Sequence, residues 1–243
     1  MMRTSLSMAM ALALALLVIA RVAEATIVLP EPIKESVQHS GMIARIYIDR
    51  VTLIGNDPDY GWPLTEVTAV TTGDFGWGTP LEKFSLILNG GIDKDDTVTG
   101  WIGAPEFLPG REYVVFLASY EWVMTPVTNW GYTVFEVADL DGKLVWLYQD
   151  GRCVGGFDDE WGFHPGPQIE IDTHHRYLVE VYGQDVAQMS TTGEPEYAGA
   201  CIDAETLGEA LSGFLRSQDP PASGPQLSPS FEIFVEVNDV PKP

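Results

Sequence analysis

The sequence predicts a mostly β protein, with a barrel or sandwich core followed by a C-terminal extension that carries one helix. Three observations lead to this class. Residues 42–54 alternate between apolar and polar side chains, residues 113–120 are rich in β-branched and aromatic side chains, and Asp141-Gly142 separates two further strand-like runs. We predict the core over residues 26–137 and the extension over residues 138–243.

The first predicted strand, residues 42–54, contains a shift in its alternation. Ile46 and Ile48 share one face, whereas Leu53 lies at an odd position. Because side chains alternate with a period of two, a shift by one residue predicts a β-bulge near Asp49-Arg50. A bulge bends and twists a long strand, as a barrel corner requires.

The strand predicted at residues 113–120 is apolar on both faces. Both faces should therefore be covered, and the strand should lie centrally in its sheet. The Gly-rich stretch GDFGWGTP (73–80) is predicted as a loop, and Asp141-Gly142 as the turn of a hairpin. Further strands are predicted over residues 64–72, 84–89, 132–137, 143–149, 168–172, 177–182 and 231–237.

One helix is predicted, over residues 204–217. Asp203 is a suitable N-cap, and Leu207, Leu211 and Phe214 fall at helical spacing. Residues 26–36 are interpreted as a lead-in segment, and the acidic, Gly-rich stretch that contains His164 is interpreted as a loop.

Residues 1–25 are predicted to be a signal peptide. Arg3 gives a positive start, residues 8–20 are apolar, and Ala23-Glu24-Ala25 supplies small residues at the cleavage positions. The apolar run is shorter than the about 20 residues that span a bilayer, although an N-terminal anchor stays open as an alternative. We expect a mature chain that begins near Thr26, is secreted or periplasmic, and does not span a membrane.

The chain is strongly acidic. It has 35 acidic and 13 basic residues, for a formal net charge of −22. Nucleic acids and anionic membranes require a basic face, so neither is expected as a partner. The acidity favours solubility outside the cell, and scattered cation sites are the alternative.

The chain has two cysteines, Cys153 and Cys201. In an oxidising compartment they are expected to form one disulfide, which would stabilise the fold by roughly 4 kcal/mol on the chain-entropy model. The alternative, a reactive thiol, lacks a nearby histidine or lysine that would favour the thiolate.

Four stretches carry a resemblance: TEVTAVTTGDF, FSLILNGG, GAPEFLPGREYVVFL and GYTVFEV. They resemble a group of exported bacterial β-proteins without an assigned activity, in which a strand ending in Gly-Gly leads through Pro-x-Phe-x-x-Gly to a strand ending in Phe-Leu. The order of strands is also similar to the netrin-like, OB-type barrel of tissue inhibitors of metalloproteinases. Those inhibitors chelate zinc through an N-terminal cysteine, and with Thr26 as the expected terminus that mechanism is not implied here.

Common catalytic signatures are absent from the sequence, including His-Glu-x-x-His, Gly-x-Ser-x-Gly, Cys-x-x-Cys and phosphate-binding glycine loops. We predict no catalytic, metal-binding or cofactor-binding residues. Two alternatives stay open: calcium at an acidic cluster, and hydrolysis of a glycosidic bond by a carboxylate beside a tryptophan. The residues concerned are Asp57/Asp59, Asp93/Asp95/Asp96, Asp139/Asp141 and Asp158/Asp159/Glu160 for calcium, Asp172/His174/His175 for another metal, and Glu121/Trp122 or Glu160/Trp161 for hydrolysis.

The sequence therefore favours a secreted, non-catalytic interaction module whose partner is a protein or a glycan. A calcium-dependent carbohydrate-binding protein is the alternative, with an exposed tryptophan from GDFGWG or DDEWGF as the sugar platform. A glycoside-active hydrolase is the third hypothesis.

Overall fold

The structure is a computed structural model that describes residues 31–57, 61, 63–92, 98–99, 105–119, 125–169, 200–221 and 223–227. The predicted signal peptide, the predicted mature start and the strands predicted at 177–182 and 231–237 lie outside the described residues. Most of the strand predicted at 168–172 lies outside them too.

Eight antiparallel strands of the described residues form the main sheet, in the order β10-β9-β8-β7-β6-β1-β2-β3. Their bounds are β1 Ser40–Asn56, β2 Pro63–Gly78, β3 Lys83–Asn89, β6 Glu112–Ala118, β7 Val134–Leu140, β8 Lys143–Leu147, β9 Arg152–Asp158 and β10 Gly162–Gln168. A separate two-stranded sheet pairs β4 Gly91–Ile92 with β5 Val98–Thr99. The mostly β prediction is confirmed.

The sheet is not a closed barrel, so the barrel form of the prediction is wrong. Strands β3 and β6 do not pair with each other in the described part of the chain. Instead, residues 226–227 lie between them and form a backbone hydrogen bond with each strand. The N–H of Gln226 donates to Ala118 O over 2.7 Å, and the N–H of Ile87 donates to Leu227 O over 3.0 Å. This short segment thus bridges the gap between β3 and β6. Strand β10 forms the other end of the sheet from β3.

The predicted bulge in the first strand is confirmed, because the pairing of β1 with β2 shifts between Ile48 and Arg50. Three further shifts, at Ile43/Ala44, Arg45/Ile46 and Leu53/Gly55, were not predicted. Repeated bulges let β2 follow a bent partner over 16 residues. The stretch GDFGWG therefore belongs to β2, and its prediction as a loop is wrong.

Strand β6 is central and covered on both faces, as predicted. Val114 and Phe116 join one apolar cluster, and Tyr113, Val115 and Leu117 join another on the opposite side. The first cluster lies under the C-terminal helix, and the second lies between β6, β1, β2 and β3.

The Pro-x-Phe-x-x-Gly turn that precedes β6 contacts both β6 and β1. The Phe107 ring packs edge-to-face on Tyr113 at 5.1 Å, and the N–H of Leu108 donates to the Tyr113 hydroxyl oxygen over 3.1 Å. Gly110, with φ of 81°, donates its N–H to Ile48 O over 2.8 Å. Burial raises the pKa of Tyr113, and the Glu136 carboxylate raises it further, so the phenol stays neutral. The role of this turn is structural.

The hairpin turn at Asp141-Gly142 is confirmed. Both residues have positive φ, 54° and 82°, and they join β7 directly to β8 as a two-residue turn. Strand β7 runs on to Leu140, so the loop is shorter than the sequence indicated.

In the part of the chain that the structure describes, two helices flank the sheet. The predicted C-terminal helix is present as α2, Ala204–Leu215, with Asp203 as its N-cap accepting the Thr206 N–H over 2.8 Å. A six-residue helix α1, Ile33–Gln38, and a 3₁₀-helix at Trp130–Thr133 were not predicted. The residues interpreted as a lead-in segment, 26–36, thus include the first four residues of α1.

The main sheet continues without interruption past residue 137, the predicted end of the core. The apolar cluster under α2 combines Ile43 and Phe116 with Trp146 and Leu207. The boundary at residue 137 stays a prediction, and residues from both sides of it share this apolar cluster.

Candidate functional site

The candidate site is the tip of the hairpin formed by β9 and β10. Asp158 pairs with Gly162, so Asp159, Glu160 and Trp161 form the connecting turn. The Asp158 Oδ1 atom accepts the N–H groups of Glu160 over 2.8 Å and Trp161 over 2.7 Å. Gly162 has φ of 85°, which favours glycine. The interpretation of the acidic, Gly-rich stretch around His164 as a loop is wrong, because its residues form the paired strands β9 and β10.

Trp161 is the exposed aromatic residue of this tip, with 55% of its surface accessible. The other tryptophan considered as a sugar platform, Trp77, is 3% exposed and donates its indole N–H to Ser40 O over 2.9 Å. Trp146 is buried too. Of the two predicted platforms, only the one in DDEWGF presents its tryptophan to solvent.

Aromatic packing fixes the base of the hairpin. The ring of Phe163 lies 4.7 Å from that of Phe135, 5.1 Å from Phe157 and 5.4 Å from Trp146. The Tyr148 hydroxyl donates to Phe163 O over 2.6 Å. Since these contacts tie β10 to the buried cluster, Trp161 is presented from a rigid support.

His164 and Asp158 form a close pair across the hairpin, through the Nε2 and Oδ2 atoms. His164 therefore lies on β10 and does not belong to a loop. Partial burial raises the pKa of Asp158, but the Trp161 N–H, the His164 ring and the Glu160 N–H together lower it more, so the net pKa lies below the usual range. Asp158 is thus an anionic anchor of the turn that presents Trp161.

Acid is expected to loosen this turn. Because the folded-state pKa of Asp158 is depressed, its ionised form favours the folded turn; the contribution is complete above about pH 4 and is lost as the pH falls through the depressed value. Trp161 emission should shift in this range in the parent protein. The shift should disappear in Asp158→Asn and persist in Asp159→Asn, and a shift that is unchanged in Asp158→Asn would contradict the assigned role.

The two cysteines lie at disulfide distance, with 5.6 Å between the Cα atoms of Cys153 and Cys201. The bond joins β9 to the residues just before α2, where the Ile202 N–H also donates to Val154 O over 3.0 Å. A Cβ on Gly166 would lie 3.0 Å from the Cys153 sulfur, so the close approach of β10 to this bond favours glycine there.

Of the other predicted clusters, Asp139/Asp141 lies wholly within the described residues. Asp139 accepts the Gly142 N–H over 2.6 Å, which is a turn contact. Within the described residues, no group of three or more His, Cys, Asp or Glu side chains could hold a metal ion. Asp59, Asp93, Asp95, Asp96, Glu121, Trp122, Asp172, His174 and His175 lie outside the described residues.

Sequence reasoning missed a buried polar network between α1, β1 and the 3₁₀-helix. Ser40 Oγ donates to Ser36 O over 2.7 Å and lies 3.3 Å from Thr128 Oγ1, and Thr133 Oγ1 donates to Thr128 O. Asn129, buried with φ of 49°, donates to Ser36 Oγ over 3.5 Å. These residues come from distant parts of the chain, and no local pattern distinguishes them from surface hydroxyls.

In the part of the chain that is described, no helix is long and apolar enough to span a membrane. The resemblance to exported bacterial β-proteins and to netrin-like barrels stays a prediction. No protein-family model, curated protein or solved structure matches the chain.

Proposed function

We propose that the chain is an exported, non-catalytic binding module that contacts its ligand through Trp161 at the tip of the β9–β10 hairpin. The observation that carries the proposal is a large, exposed indole on a support fixed by buried aromatic rings. A rigid aromatic side chain gives a large contact area at low conformational cost, which is why tryptophan is enriched at binding hot spots.

Export is supported by the cysteine pair. A disulfide persists in oxidising compartments, and Cys153 and Cys201 lie at the distance that one requires. The net charge of −22 keeps such a protein soluble and disfavours polyanionic ligands.

Carbohydrate is the ligand class that this tip favours. An indole face offers a flat apolar surface for a sugar ring, and the exposed carboxylates of Asp159 and Glu160 can accept hydrogen bonds from hydroxyl groups. The charge of the chain favours neutral or amine-bearing glycans over uronate or sulfated ones.

Calcium-dependent binding has less support at this tip. Asp158, the central carboxylate of the cluster, is engaged by two backbone N–H groups and His164. Asp159 and Glu160 are the remaining acidic residues of the cluster, and calcium takes six to eight oxygen ligands. Catalysis by Glu160 would require a second carboxylate facing it across the bound sugar, and we assign no partner to it.

A glycan array tests the proposal. The protein with its native disulfide is applied first with calcium and then with a chelator. We expect binding to neutral or amine-bearing glycans that survives chelation and leaves the glycans intact. Loss of binding on chelation would favour the calcium-dependent hypothesis, glycan cleavage would favour the hydrolase, and no glycan bound would contradict carbohydrate as the ligand class.

A further inference from the structure

A second surface of the molecule holds a short stretch of the chain in the gap between β3 and β6. We call residues 223–227 the tail segment, and the residues that hold it, Gly41, Ile87, Ala118 and Ser119, the tail groove. Ser223 Oγ donates to Ser119 O over 2.8 Å, the Gln226 N–H to Ala118 O over 2.7 Å, and the Ile87 N–H to Leu227 O over 3.0 Å. These contacts use backbone groups at the end of β6 and on the edge strand β3.

The groove is shaped for the close approach of a second backbone. A Cβ built on Gly41 would lie 2.5 Å from Pro225 N and 2.6 Å from Gly224 O, closer than side-chain atoms come to a backbone. Gly41 therefore leaves a flat floor over which the tail segment passes. A Cβ on Gly224 would meet nothing within 4 Å, so the requirement for glycine belongs to the groove and not to its occupant.

The groove also accepts one apolar side chain. Leu227 is half-buried and packs against the apolar cluster that includes Leu86 and Leu117. Backbone hydrogen bonds to the edge strand β3 and apolar packing of a single side chain are also features of proteins that bind peptides along a sheet edge.

The tail segment is held weakly compared with the sheet beside it. Ser223, Gly224 and Gln226 are exposed, whereas residues 113–118 of β6 are buried throughout. The segment lies at the surface and its Leu227 side chain is only half-buried, so it can open without disturbing the core.

We propose that the tail groove is a docking site for an extended peptide of a partner protein, and that the chain's own tail segment occupies it in the free protein. The partner's peptide makes the same contacts as the tail segment. Its backbone passes over Gly41 and donates one N–H to Ala118 O. An aliphatic side chain at the next position takes the place of Leu227. The proposal does not depend on Trp161.

The test uses the full chain with its own tail segment released. The variant Gln226→Pro/Leu227→Asp removes the N–H that Ala118 accepts and the side chain that fills the pocket. The probe is a fluorescent peptide of the native sequence 222–228, Ala-Ser-Gly-Pro-Gln-Leu-Ser. We expect it to bind the released variant at least tenfold more tightly than the parent, because the tethered segment competes in the parent at an effective concentration on the order of millimolar.

Two matched controls locate the binding. Gly41→Ala added to the released variant should abolish binding, since its Cβ would overlap the peptide backbone. A peptide with alanine in place of Gly224 should bind as well as the native peptide. The proposal would be overturned if the peptide does not bind a released variant whose β6 amides stay protected. It would also be overturned if Gly41→Ala leaves binding unchanged.

A measurement on the unmodified protein covers the case in which the released variant fails to fold. Hydrogen exchange at the Gln226 amide should be at least a hundredfold faster than exchange at the amides of β6. If the Gln226 amide exchanges as slowly as β6, the tail segment opens only with global unfolding, and the groove is no docking site.

Discussion

Replacing Phe116 by aspartate (F116D) is expected to lower the free energy of unfolding by about 4 kcal/mol or more. Phe116 is fully buried in the cluster under α2, and its ring lies edge-on to Phe163 at 6.3 Å. The substitution removes an aromatic ring from the core and places an unpaired carboxylate there. For a chain of this size the melting temperature should fall by roughly 10–15 °C, or the variant should fail to fold.

Leu144→Asp is the matched control for this substitution. Leu144 lies on β8 of the same sheet and is 42% exposed, so a charge there stays in water. We expect a change of about 0.5 kcal/mol or less, measured by circular dichroism during heating. A melting temperature for F116D within a degree or two of the parent would show that β6 is peripheral.

Reduction of the disulfide is the second large effect. Cys153 and Cys201 are separated by 48 positions, and on the chain-entropy model the bond stabilises the fold by about 4 kcal/mol. Reduction frees β9 from the residues before α2. Hydrogen exchange should therefore become faster in the described parts of 150–216, while residues 112–118 stay protected.

The alternative outcomes of this reduction are equally informative. If both regions lose protection together, the sheet and α2 form one cooperative unit, and the predicted boundary at residue 137 is wrong. If neither region changes, Cys153 and Cys201 are not bonded to each other.

The sequence predicted those elements whose residues carry a strong local pattern. Strand β6 is apolar on both faces, the shift of alternation in β1 locates its bulge, and Asp141-Gly142 can adopt the positive φ of its turn. Helix α2 combines a capping residue with a periodic apolar face. In each case local geometry and burial favour the same structure.

The elements that were missed depend on contacts made at a distance. Strands β9 and β10 contain Gly155, Gly166 and two prolines, so they lack alternation; their glycines let the two strands approach each other and the cysteine sulfur. Helix α1 has six residues and is held by a buried polar network. The tail segment shows no apolar periodicity in the sequence. Its position depends on hydrogen bonds to Ala118 and Ile87, which are distant in the chain.

The candidate site could be predicted only in part. The sequence indicated two stretches, GDFGWG and DDEWGF, from which a tryptophan could reach solvent. Which of them does so depends on tertiary packing: Trp77 is covered near Ser40, whereas Trp161 extends from a turn that Asp158 fixes. Exposure of a single aromatic residue in a glycine-rich stretch has no periodic signal in the sequence.

The claim that Trp161 is the contact residue is tested most directly by comparing Trp161→Ala and Trp161→Tyr with the parent for binding to the glycan that the array selects. Because Trp161 is exposed, both variants should melt close to the parent temperature. The account predicts that Trp161→Ala loses at least tenfold in affinity, as expected for an aromatic hot spot, while Trp161→Tyr retains most of it. Equal binding by Trp161→Ala and the parent would contradict the account.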